Sequence, residues 1–183
     1  MTCSRRVLSD LNGDWDAPVL FVAEAPGRLG AEKTGIPLFG DRTGDRFELL
    51  LCEMGLARNE VFITNAILCN PRNEQGNNDS PMPCEIRNCA QFLERTIEAV
   101  NPKVVITLGR VALEALKLIR PHDANLKEDV GKIRSWGKWR LIVLYHPGPR
   151  TVVHRSWQLQ LRDARKVGKL VRQELCNLSP SGD

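Results

Sequence analysis

Val19-Leu-Phe-Val-Ala23 is a run of five apolar residues that stops abruptly at Glu24-Ala-Pro-Gly27, and this change sets the reading of the whole chain. A strand that is apolar at every position is buried on both faces, as in a parallel sheet covered by helices on either side. The turn-rich stretch from Glu24 to Gly40 then becomes a long loop at the strand's carboxyl end. Three similar runs follow: Val61-Phe-Ile-Thr-Asn-Ala-Ile-Leu68, Lys103-Val-Val-Ile-Thr-Leu108 and Arg140-Leu-Ile-Val-Leu-Tyr145. Helix patterns separate them. Phe47, Leu50, Leu51 and Met54 have i, i+3, i+4, i+7 spacing, which predicts a helix over Arg42–Met54 ended by Gly55. Pro83 and Glu85 suit the first turn of a helix that runs to about Val100 and is broken by Asn101-Pro102. Further helices are predicted over Arg110–Ile119 and about Arg155–Cys176, with residues 121–139 irregular. The alternation predicts an α/β fold: a single three-layer α/β/α domain with a four-stranded central parallel sheet and right-handed crossovers.

The 183 residues suit one domain, with a core over about 17–172, an N-terminal segment over 1–16 and a disordered tail over 177–183. With 42% hydrophobic and 26% charged residues, the composition is that of a folded globular chain. No apolar run approaches the ~18–20 residues of a membrane helix, and Met-Thr-Cys-Ser-Arg-Arg is no signal core, so the chain reads as cytoplasmic. Its six cysteines are then expected as reduced thiols or metal ligands. The net charge is only +4, but ten of the 26 Lys/Arg lie between Arg134 and Arg172, beside a single acid, Asp163. Two readings stand: a face that meets a polyanion such as a phosphate backbone, or a solvated basic helix.

In an open sheet of this kind the ligand sits beyond the carboxyl ends of the strands, where Glu24–Asp41, Asn65–Asn73, Gly109–Arg110 and His146–Arg150 converge. The first loop lacks both the GxGxxG spacing and the Gly-Lys-Ser/Thr of a phosphate-binding loop. What it carries is a carboxylate at Glu24, a Pro-stiffened backbone and a second carboxylate at Asp41. These features, with Thr34-Gly-Ile-Pro-Leu-Phe-Gly-Asp-Arg-Thr-Gly44, Ile63-Thr-Asn-Ala-Ile-Leu-Cys-Asn-Pro71, Asn101-Pro-Lys-Val-Val-Ile-Thr-Leu-Gly109 and Tyr145-His-Pro-Gly-Pro-Arg150, resemble the uracil-DNA glycosylase superfamily. The likeness is to its iron–sulfur branches four and five. Glu24 and Asn65 match branch four, and Gly40-Asp-Arg-Thr-Gly-Asp45 matches branch five.

The resemblance implies hydrolysis of the N-glycosidic bond of uracil in DNA, with the nucleotide swung out of the helix and an abasic site left behind. Asn65 corresponds to the base-reading Asn, since its amide offers both a donor and an acceptor to uracil's edge; the plainer reading is a strand cap. Ala25 and Gly27 belong to the same pocket. Leu38 stands where the family has a stacking Phe, so either Leu38 or its neighbour Phe39 serves as the platform, or Phe39 packs in the core. His146 corresponds to the donor that stabilises charge on uracil O2. Glu24 and Asp41 compete for the roles of orienting water and stabilising the sugar cation, with helix N-capping as the alternative for Asp41. Asn73 lies one position from a branch-five active-site Asn. Pro149 and Arg150 fall in the loop that pinches and wedges DNA, where Gly148 replaces a Ser. Arg155, Arg162, Arg165, Lys166 and Lys169 would add phosphate contacts.

The same likeness implies a structural 4Fe-4S cluster. Cys69 and Cys89 match two of its ligands and Cys3 a third, while the remaining position would fall before Met1, which leaves three readings: a start further upstream, a substitute such as Cys84, or no complete cluster. The chain is accordingly expected to be a monomeric hydrolase acting on uracil-containing DNA and needing no diffusible cofactor. A DNA-binding or damage-sensing module that has lost turnover is the alternative.

Overall fold

The computed structural model describes residues 5–177. Its sheet has five strands: β1 (Val19–Ala23), β2 (Val61–Asn65), β3 (Val104–Leu108), β4 (Ile133–Trp136) and β5 (Trp139–Leu144), in the order β2-β1-β3-β5-β4. Around it lie the single turn α1 (Ala31–Thr34), then α2 (Arg42–Met54), α3 (Pro83–Val100), α4 (Arg110–Ile119) and α5 (Trp157–Asn177). β1, β2, β3 and β5 are parallel, with Val19 opposite both Val61 and Val104, and Val104 opposite Arg140.

The expected α/β class and four parallel strands are present, and a fifth strand corrects the count. β4 pairs antiparallel with β5 across a tight turn at Gly137, within the stretch read as irregular. As an edge strand it buries only Trp136 fully, so it carries no continuous apolar signal. The expected second strand ends early: after Asn65 the chain leaves the ladder, although Ala66 and Ile67 still donate to the carbonyls of Ala23 and Glu24, at 2.8 and 3.2 Å. The loops after β1 and β2 therefore stay side by side.

Strand alternation sorts the core into two layers. Leu20, Val22, Phe62, Val105, Leu141 and Val143 face α3 and α4. Val19, Phe21, Val61, Ile63, Ile106 and Ile142 face α2 and α5. The α2–α5 contact is very close at one point, where a Cβ on Gly168 would lie 2.2 Å from the Met54 carbonyl oxygen. Arg172 caps the same carbonyl at 2.8 Å. Gly168→Ala is therefore expected to destabilise the fold by about 1–3 kcal/mol in urea unfolding. A gain of about 1 kcal/mol, the usual result for Gly→Ala within a helix, would contradict this packing.

The N-terminal segment covers the open edge of β2. Asn12 donates to the Ile63 carbonyl at 2.6 Å and Val7 to that of Leu68 at 2.9 Å. Among the described residues no helix is long and apolar enough to cross a membrane. Residues 178–183 of the expected tail lie outside the described residues.

Candidate active site

Two clefts open at the carboxyl edge of the sheet. One, of about 930 Å³, is walled by Glu24, Ala25, Gly27, Leu38, Phe39, Asp41, Asn73, His146, Pro149 and Arg150 among others. The second, of about 910 Å³, adjoins it and shares Glu24, Ser80, His146 and Thr151. All of the expected pocket and catalytic residues except Asn65 thus meet in the first cleft.

His146 follows β5 directly. The Gly148 backbone N–H donates to its Nδ1 at 3.0 Å. A ring nitrogen that accepts cannot carry a proton, so the neutral ring holds its proton on Nε2. Burial holds the imidazole pKa down at about 4, against the upward pull of Asp41. Near neutral pH His146 is therefore an uncharged donor. Gly109, at φ +95°, makes room for it: a Cβ there would come within 3.2 Å of the His146 Cβ. From α2, Arg46 reaches the Pro147 carbonyl at 3.4 Å while lying over the Trp157 ring.

Glu24 stands at the junction of the clefts, and burial raises its pKa while Arg110 across the second cleft opposes the rise. Asp41 both caps α2 and lines the first cleft. Its Oδ1 accepts from the N–H groups of Thr43 and Gly44, both at 3.0 Å, which caps α2. Its Oδ2 lies against the glycine loop, where a Cβ on Gly30 would come within 2.6 Å.

Leu38 is 7% exposed and has a left-handed φ of +50°, a conformation that costs a branched residue about 1–2 kcal/mol. Arg58, which the sequence reading missed, pins it there. Its guanidinium donates to the carbonyls of Pro37 and Leu38 at 3.0 and 2.8 Å, pairs with Glu48, and lies over the rings of Phe39 and Phe47. Phe39 is 44% exposed, so the core-packing alternative for it is corrected: Leu38 fills the core and Phe39 lines the cleft.

Asn65, at the end of β2 opposite Ala23, is 1% exposed, and its Nδ2 has no hydrogen-bond partner. It belongs to the wall of neither cleft, and by alternation it shares the sheet face of Ile63 and Ala23. Asn73 lines the first cleft while its side chain accepts from the Asn77 N–H at 3.0 Å, closing its own turn. Asn70 and Asn78 went unnoticed in the sequence. Asn70 donates to the Pro26 carbonyl and to Asn78, and Asn78 accepts from the Arg28 N–H, tying the second loop to the first. Buried Glu32 adds a two-oxygen contact with Arg72 at 2.6 Å.

Four of the ten cations of the basic segment are ion-paired. Arg155, expected among the phosphate contacts, binds Asp163 through two hydrogen bonds of 2.8 and 2.7 Å. Arg165 pairs with Glu53, Arg134 with Asp129 and Arg140 with Glu174. No α5 side chain lines either cleft. Arg150 is exposed on the first cleft's rim.

Among the described residues no group of three or more His, Cys, Asp or Glu side chains is arranged to hold a metal ion. Cys84 precedes Cys89 by five helical positions and so points about 140° away from it, which removes it as a substitute ligand. Cys52, Cys84, Cys89 and Cys176 are free. Segments far apart in sequence meet here: Val7 is bonded to Leu68, and the Arg6 guanidinium lies 5.9 Å from the Phe92 ring, one turn beyond Cys89. Cys3 lies outside the described residues.

A parallel sheet whose carboxyl edge brings two carboxylates and a neutral histidine into one cleft defines a hydrolase-like site. Residues 11–167 match the family model of the uracil DNA glycosylase superfamily. The chain is 34% identical over 168 residues to the type-4 uracil-DNA glycosylase of Archaeoglobus fulgidus, covering 86% of this chain and 79% of that protein. It is 38% identical over 159 residues to the type-4 enzyme of Sulfurisphaera tokodaii, covering 84% and 70%. To the type-5 uracil-DNA glycosylase of Pyrobaculum aerophilum it is 30% identical over 154 residues, covering 76% and 65%. The chain belongs to the uracil-DNA glycosylase superfamily.

Proposed function

We propose that this protein is a DNA-repair glycosylase that hydrolyses the N-glycosidic bond of uracil in DNA. The observation that carries the reading is the neutral His146, tautomer-locked by Gly148 in a cleft that also holds Glu24 and Asp41. Cleaving the bond between C1′ and N1 leaves its electron pair on the base and a cation-like sugar. The Nε2–H of His146 stabilises the charge that collects on uracil O2, a preorganised donor aimed at the transition state. Asp41, whose second oxygen is free of the capping bonds, stabilises the sugar cation. Glu24, made more basic by burial, accepts the proton of the water whose oxygen bonds to C1′. Glu24 passes its proton to solvent and the departing uracil anion takes one up from solvent, so the products are free uracil and an abasic site.

Asn65 reads the base in this account. Its unpartnered buried amide is costly unless a ligand satisfies it, and a uracil entering past Leu38 and Phe39 would do so. Pro149, Arg150 and Val153, an aliphatic 79% exposed on the same short helical turn, supply the contacts that enter the space vacated by the base. An oligonucleotide carrying a single uracil tests the proposal: equimolar free uracil and abasic sites are expected, and binding without release would favour a damage sensor.

The relationship to the type-4 and type-5 enzymes also supports a structural 4Fe-4S cluster beside the N-terminal segment. Cys69 and Cys89 would be two of its ligands and Cys3 a third, and Cys84 does not supply the fourth. No step of the hydrolysis uses it. Protein purified without air should contain about four irons per chain; iron-free, fully folded protein would contradict the assignment.

A further inference from the structure

Two successive carbonyls, those of Pro37 and Leu38, accept hydrogen bonds from a single guanidinium, that of Arg58, at 3.0 and 2.8 Å. These carbonyls belong to the two rigid peptide planes on either side of the Leu38 Cα, so fixing both fixes φ and ψ of that residue. The left-handed φ of +50° at Leu38, which its Cβ disfavours, is thereby held by an external clamp. The second of these planes also carries the N–H and Cα of Phe39. The clamp therefore sets the direction in which the Phe39 side chain leaves the backbone. We propose that Arg58 is a positioning residue of the base cleft, holding the Phe39 ring as the flat face on which the extruded uracil stacks; this rests on the glycosylase reading.

The clamp is itself anchored. Arg58 opens the short turn Arg58–Glu60 just ahead of β2, and its Nε donates to Glu48 of α2 at 2.6 Å, which orients the guanidinium plane. The same guanidinium lies 5.6 Å from the centre of the Phe47 ring and 5.7 Å from that of Phe39. Phe47 is fully buried and meets Phe21 edge-on, so it ties the clamp to the core. From the other side α2 backs the turn closely: a Cβ on Gly44 would come within 2.8 Å of both the Leu38 carbonyl oxygen and the Phe39 Cα. The backbone at 38–39 is thus confined on two sides, while the Phe39 side chain stays exposed on the first cleft. An aromatic ring carried into a cleft by a fixed backbone is what a planar base stacks on. Leu38 belongs instead to the buried layer on the α2 side of the sheet. Lysine at position 58 would keep the charge beside Glu48 but has no planar fork to serve two carbonyls at once.

The test compares the full chain with Arg58→Lys, Phe39→Ala and the double variant in single-turnover release of uracil from an oligonucleotide carrying one uracil. Each single variant is expected to lower the rate constant at saturating enzyme by about tenfold to a hundredfold, the cost of a base misplaced at the reacting bond, with affinity for uracil-free DNA unchanged. The double variant should be slower than Phe39→Ala by less than about threefold, because the clamp acts through the ring. A merely structural role for Arg58 would multiply the two losses instead. Independently of turnover, 13C relaxation of the Phe39 ring, its signals identified by their loss in Phe39→Ala, should show greater mobility in Arg58→Lys. An unchanged rate in Arg58→Lys, losses that multiply, or a Phe39 ring as rigid as before would each overturn the proposal. Failure of the glycosylase reading would show differently, as wild-type protein that releases no uracil while the Phe39 ring still loosens in Arg58→Lys.

Discussion

His146→Ala is expected to lower kcat for uracil release by about 10²–10³ while leaving KM nearly unchanged, because the lost Nε2 donor acts on charge that develops only as the bond breaks. His146→Gln, which can still donate, should recover part of the loss. The pH dependence sharpens the assignment. With its pKa at about 4, His146 stays neutral through the physiological range, so no activity limb near 6.5 should belong to it. Its linkage to stability has a definite sign. Below about 6.5 the unfolded ring takes up a proton that the folded ring refuses until about 4, so stability falls as pH drops through that interval. The Gln variant should lack this component in denaturation measured at several pH values. Protonation centred near 6.5 in the folded protein, seen by NMR, would refute the tautomer lock.

Glu24→Gln should reduce kcat by about 10²–10⁴, the range for loss of a positioned general base. The acid limb of the wild-type profile should lie above 4.5, since burial raises the carboxyl pKa, and Glu24→Gln should remove that limb from the residual activity. Asp41→Asn gives the informative contrast. Asn is as good an N-cap as Asp, so α2 should persist and thermal stability change little, while the lost negative charge slows the reaction without moving the limb. If Asp41→Asn rather than Glu24→Gln abolished the limb, the two carboxylates would exchange roles.

The sheet was legible because β1, β2, β3 and β5 are apolar at nearly every position, the signature of strands buried on both faces. β4 was not: Ile133-Arg-Ser-Trp136 fully buries one residue and is polar elsewhere, as befits an edge. His146, Glu24 and Asp41 drew notice because each lies just past a strand end or at a helix start, and the resemblance to the glycosylase family supplied the roles proposed for them. The supporting residues could not. Arg58 acts across 20 and 21 positions on the carbonyls of Leu38 and Pro37, and Asn70 acts on Pro26 across 44. Neither backbone acceptors nor a left-handed Leu38 leave a trace in spacing. Charge counting likewise could not see that Arg165 pairs with Glu53, 112 residues away.

One measurement bears on the central idea that a single pyrimidine is surrounded by groups from separate strand ends. It is a crystal structure of the protein with abasic-site DNA and free uracil. The account predicts uracil near Leu38 and Phe39, with the Asn65 amide and the His146 Nε2 both within hydrogen-bond distance of the same ring and a water beside Glu24. Uracil held elsewhere, or bound with the Asn65 amide still unpartnered, would contradict it.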